Sequence, residues 1–116
     1  MTLKAYQNTQ RITENPREAE YRLFGQVTGA LITAQREGHT GGRLAESIDW
    51  NRKMWRALAA DCLDDANKLP EALRANIVSL SLFVTRYSKD VVRTGAAIDP
   101  LIEINRNIMQ GLQGAG

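Results

Sequence analysis

Reactive side chains are scarce in this chain: one cysteine, one histidine and 6% aromatics among 116 residues. A single Cys62 excludes an intrachain disulfide and fits a reducing cytoplasm. Its helical stripe also holds Trp55, so the thiol reads as buried and inert. His39 lies far away in sequence, inside the break Gly38-His39-Thr40-Gly41-Gly42, which gives no support for a Cys–His catalytic pair. No HExxH, CxxC, Gly-x-Ser-x-Gly or phosphate-binding Gly-Lys-Ser pattern occurs. A calcium loop opening at Asp61 would need Glu at its twelfth position and meets Ala72 instead. Gly41-Gly42-Arg43 ahead of a helix can receive an anion, but a plain flexible turn explains it better. An enzyme is therefore not expected, nor any cofactor or metal.

Charge of one sign is also in short supply. Fifteen basic against thirteen acidic residues leave +2, whereas nucleic-acid domains carry a clustered basic excess. Arg52, Lys53 and Arg56 form one small basic patch, and Arg86, Lys89 and Arg93 another. With no aromatic platform interleaved, solvated helix faces account for both better than phosphate contacts do. Long hydrophobic runs are missing too. Asn76 to Val84 is too short and too serine-interrupted to span a bilayer. The segment Met1 to Asn8 lacks the apolar stretch of a secretory signal, so a cytoplasmic location without membrane attachment is expected.

What the chain does contain is helix. Its length suits one domain that buries roughly two thirds of its unfolded surface. Asn15-Pro16-Arg17-Glu18 reads as a capped start with Pro at the first helical position. Ala19, Leu23, Val27, Ala30, Leu31 and Ala34 then make one apolar face, which ends near Gly38. A second helix is predicted from about Arg43 to Leu63. The carboxylates Asp61, Asp64 and Asp65 at its end mark the chain exit or cap the next segment. A third helix is predicted from Leu69-Pro70 to about Arg93, stopped by Gly95, with a stripe of Leu69, Leu73, Ile77, Leu80, Val84, Tyr87 and Val91. The fourth starts at Asp99-Pro100 and carries Leu101, Ile104, Asn105, Ile108 and Leu112, with fraying expected at Gly111 and Gly114. Residues 1–14 are polar, with Leu3, Tyr6 and Ile12 as anchors, and read as a docking helix or an arm. The fold class is all-α: a compact bundle of four main helices over 15–116.

Both tryptophans fall in Asp49-Trp50-Asn51-Arg52-Lys53-Met54-Trp55. At about 100° per residue, they point roughly 140° apart. Trp55 shares a stripe with Leu44, Ile48, Leu58 and Cys62 and reads as core. Trp50 shares a mixed face with Glu46, Met54, Ala57 and Asp61 and reads as half-exposed, as either a rim residue or a binding anchor. The third helix holds more apolar surface than one stripe needs. Val78 and Leu82 lie opposite Leu73 and Val91, with Phe83 on a flank. Such a helix is either central in its bundle or offers a docking surface. Asn105, inside an apolar stripe, needs hydrogen-bond partners and either fixes helix register or stays open for another chain.

Several segments taken in order carry a family resemblance. They are Ala5-Tyr6, Glu14-Asn15-Pro16-Arg17-Glu18, Tyr21 to Thr28, Asp49-Trp50-Asn51-Arg52 through Trp55, Leu69 to Arg74, and Ile98 to Asn105. Together they resemble the alphaproteobacterial flagellar biosynthesis regulator FlaF family, over about residues 5–112. Gly29 departs from the stronger helix former expected there. The resemblance implies a cytoplasmic, non-enzymatic protein that promotes flagellin synthesis and export and works with the flagellin regulator FlbT. Two readings stay open: a chaperone-like protein that binds flagellin, and a post-transcriptional regulator of flagellin messenger, acting directly or with FlbT. For the first, the candidate partner-binding residues are Trp50, Asn51, Arg52, Met54, Val78, Leu82 and Phe83. Amphipathic flagellin helices would suit a helix-in-groove contact there.

Overall fold

The computed structural model describes residues 16–114. The arm at 1–14 and the proposed cap at Asn15 lie outside these described residues. Four helices run in order: α1 Pro16–Arg36, α2 Gly41–Cys62, α3 Glu71–Thr94 and α4 Asp99–Gly114. No strand appears among the described residues. Starts at Pro16 and Asp99 coincide with those predicted from Pro placement. The α3 start falls two residues after Leu69, because Leu69 N–H is held by Asn67 Oδ1 at 3.0 Å in a side-chain turn. Gly29 does not interrupt α1, and the space around it is open.

The connections arise from local chemistry. Gly38 takes φ 64°, which frees His39 N–H to reach Ala34 O and Gly38 N–H to reach Gln35 O. That pair of bonds is a Schellman close. Gly95, at φ 74°, ends α3 in the same left-handed conformation. Between α2 and α3, Asp64 Oδ1 accepts Ala66 N–H, in line with the capping expected of the acidic exit of α2. Arg74 then reaches back from α3 and donates to Cys62 O at 3.0 Å and to Asp64 O at 3.1 Å. It supplies the positive charge that the last turn of α2 lacks.

The helices form a ring in which each packs on the next and α4 closes on α1. Packing is most extensive between α2 and α3 and sparsest between α3 and α4. The assembly is a slab of 41 × 40 × 21 Å. Its core is built from Phe24, Val27, Leu31, Ile48, Trp55, Ile77, Val84, Val91, Leu101, Ile108 and Leu112. Phe24 meets Trp55 edge-on at 5.5 Å between ring centroids. Of the predicted α1 face Val27, Leu31 and Ala34 are buried, but Phe24 and Thr28 are buried as well, while Leu23 is over a third exposed. Because α1 lies between α2 and α4, its buried arc is wider than one stripe and is centred on Val27 and Leu31. Gly111 does not fray the last helix. It lies inside α4, where a Cβ would stand 3.2 Å from Leu73 Cδ1, so it lets α3 and α4 approach closely.

Candidate functional site

The tryptophan segment divides between interior and surface. Trp55 is fully buried, and its Nε1–H donates to Asn105 Oδ1 at 2.8 Å. Asn105 Nδ2 in turn donates to Asn51 Oδ1 at 2.8 Å and to Thr28 Oγ1 at 3.1 Å. One amide thus ties α1, α2 and α4 together inside the core. The oddity of Asn105 resolves as register fixing, with its carbonyl and amide both engaged within the fold. Asn51 Nδ2 has no partner of its own.

This network corrects two of the expected contact residues. Asn51 is completely buried as Asn105's acceptor, and Met54 is buried as well. Neither side chain is available to another chain. Asn51 lies only about 40° around the helix from Trp55, so the core stripe already contains it. By spacing Met54 shares one mixed face with Trp50, yet Met54 is buried while Trp50 is 43% exposed.

Arg52 is half-buried and spent on an intrahelical cluster. It donates to Asp49 Oδ1 at 2.5 and 3.2 Å, while Lys53 Nζ stands 3.0 Å from Asp49 Oδ2. Hydrogen bonds from Arg52 and then Lys53 hold the Asp49 carboxyl below its usual range.

The α3 residues fare differently. Across its 24 residues only Ile77, Val84, Ser88 and Val91 are buried, against seven over the 22 of α2. A helix at the centre of its bundle would bury more, so the central position does not apply to α3. Leu82 is 62% exposed, Phe83 42% and Val92 45%. Val78 packs on the core from one flank and is partly buried. Phe83 stacks on Tyr87 at 5.4 Å, and Tyr87 Oη donates to Ala97 O at 2.6 Å, which places this pair at the α4 edge. Val78 and Leu82 lie toward the α2 edge, about 100° or more away around the helix. Trp50 stands apart from both. It points roughly 160° from Arg52, which lines the α2–α3 side, and so faces away from α3. The seven candidates therefore do not form one patch. Val78 and Leu82 remain together, with Phe83 on the opposite flank.

Sequence reasoning passes over the open groove between α2 and α3. It has a volume of about 500 Å³ and is lined by Ala45, Ile48, Ser88 and Val92 with charged residues around them. Val92 is its available signal, an extra apolar residue beside the main α3 stripe.

The remaining reactive groups do not converge. Cys62 is buried, and burial, followed by the nearby Glu20 carboxylate, pushes its thiol above the ordinary value. His39 lies before the other end of α2, about 30 Å of helix away. It contacts Glu37 Oε2 at 2.9 Å. Among the described residues no three His, Cys, Asp or Glu side chains gather as a metal site, and no helix is long and apolar enough to cross a membrane.

Searches of curated proteins and of solved structures returned no match. The profile of the flagellar protein FlaF family, in contrast, matches residues 2–112. The segments that carry the resemblance include Thr28, Asn51, Trp55 and Asn105, the four side chains that join α1, α2 and α4. With that match spanning nearly its whole length, the chain belongs to the flagellar protein FlaF family.

Proposed function

We propose that this chain is a non-enzymatic binding protein that promotes flagellin synthesis and export by holding unassembled flagellin. The observation that carries the reading is the uncovered apolar side of α3, where Leu82 is 62% exposed beside Val78. A nonpolar side chain this exposed at mid-helix gains by burial against a partner, at about 25 cal/mol per Å² of apolar area. An amphipathic flagellin helix laid along α3 supplies that cover. A stable complex of this kind buries on the order of 1,600 Å² in total, within reach of a slab with two broad faces.

Size-exclusion chromatography of the protein mixed with purified flagellin tests the reading. Co-elution at micromolar concentration is expected, and Leu82→Glu should abolish it while the variant remains folded by circular dichroism. Separate elution of the native proteins even at tens of micromolar refutes it.

A further inference from the structure

We infer that the groove between α2 and α3 receives an amphipathic helix whose apolar stripe is flanked by carboxylates. The inference rests on the proposed function, that this protein binds a helical partner, and adds where the helix enters and what charge it carries.

Three observations converge on this groove. Its floor is apolar, formed by Ala45, Ile48 and the 45% exposed Val92, and its volume of about 500 Å³ takes several side chains. Ser88 is a lining residue that is 2% exposed, and its buried hydroxyl has no hydrogen-bond partner. A serine in a helix ordinarily returns its hydroxyl to a carbonyl of the preceding turn, as Thr85 does to Ser81 O at 3.0 Å. Ser88 does not, and an incoming acceptor would satisfy it.

The third observation is charge. Lys89 and Arg93 stand on the α3 rim with no ion pair or hydrogen bond among the described residues. On the α2 rim, Asp49 is already neutralised by Arg52 and Lys53, which leaves Glu46 as the only uncompensated acid lining the groove among the described residues.

This balance selects among occupants. Residues 1–15 of the chain itself offer Lys4 and Arg11 against Glu14, a cationic segment for a cationic rim. A second copy would bring the same cations face to face. A partner helix with Asp or Glu beside its apolar stripe meets each requirement.

The test uses the full chain and two synthetic amphipathic helices with one leucine stripe, flanked by glutamates in one and lysines in the other. Fluorescence anisotropy is expected to give at least tenfold tighter binding of the glutamate peptide, weakening as salt rises. Charge reversal in K89E/R93E should invert the preference. Ser88→Ala should weaken the glutamate peptide roughly fivefold, the equivalent of one hydrogen bond. Equal binding of the two peptides, binding of neither, or indifference to K89E/R93E overturns the inference. Self-association of the native chain that K89E/R93E abolishes also overturns it. The two proposals separate cleanly: flagellin capture that needs Leu82 but ignores K89E/R93E removes the groove alone. Peptide binding in the groove without flagellin capture removes the flagellin reading alone.

Discussion

Two regions of this small bundle are built to opposite rules. Where α1, α2 and α4 meet, everything is closed. Trp55, Asn105, Asn51 and Thr28 are at most 4% exposed and are joined by three hydrogen bonds. Around α3 the structure is open, with Leu82, Phe83 and Val92, on different flanks of the helix, all more than 40% exposed. Polar groups lie inside the first region and apolar groups outside the second, the reverse of ordinary partition. A buried polar tie fixes which helices meet and in what register. Leu82, exposed at mid-helix, contributes little to the isolated fold, which leaves it free for the partner proposed above.

The largest effect should come from cutting the closed region. Asn105→Ala leaves the Trp55 indole N–H and the Asn51 carbonyl without partners in a dry core, a loss of about 3 kcal/mol at roughly one to two kcal/mol per orphaned group. Urea melts read it directly, and a loss below about 1 kcal/mol would mean that the network is incidental. The mirror-image change is Leu82→Glu. On an exposed helix position, stability should move by no more than about 0.5 kcal/mol, while flagellin capture disappears. If both quantities fell together, the open side would be structural after all.

A smaller effect tests the boundary between the regions. Ser88 is buried yet unsatisfied on the groove wall. Ser88→Ala should therefore stabilise the free protein by about 1 kcal/mol, although it weakens acidic peptides. A destabilised variant would show that the hydroxyl already has a partner in the free protein. A modest change is expected at Gly29, which sits inside α1 with nothing within 4 Å of where a Cβ would be. Gly29→Ala should raise stability by about 0.5–1 kcal/mol through helix propensity alone, visible as a higher denaturation midpoint with an unchanged slope.

Much of the closed region is legible in the sequence. Helix starts at Pro16 and Asp99, the glycine break after Arg36, the core placement of Trp55 and Cys62, and the half-exposed Trp50 all come from caps and a 3.6-residue period. Asn105 announces itself as a polar residue needing partners. Its acceptor Asn51 is marked for the core in the same way, about 40° from Trp55, but only the neighbouring helix shows what it meets. Phe24 and Met54 escape the pattern for a related reason. Periodicity says which side chains share a side of a helix, but not how wide an arc two flanking helices cover. Met54 is buried while Trp50, about 40° away on the same helix, is exposed.

The open region is harder to read. The excess of apolar residues on α3 is plain, but its cause is not. A central helix and an uncovered one share the same pattern, and only tertiary packing distinguishes them. The groove is invisible for the same reason, since Ser88, Lys89, Val92 and Arg93 acquire meaning only with Ala45 and Ile48 opposite. Arg74 is a further case: nothing in its local sequence shows that it caps the helix before its own.

The central claim is that a partner polypeptide lies along α3 and leaves the core seam untouched. Methyl NMR of isotope-labelled protein titrated with purified flagellin tests it most directly. Shifts or broadening should concentrate at Val78, Leu82 and Val92, with Leu101, Ile108 and Leu112 unmoved. Perturbations confined to α1 and α4, or none at saturating flagellin, would contradict it.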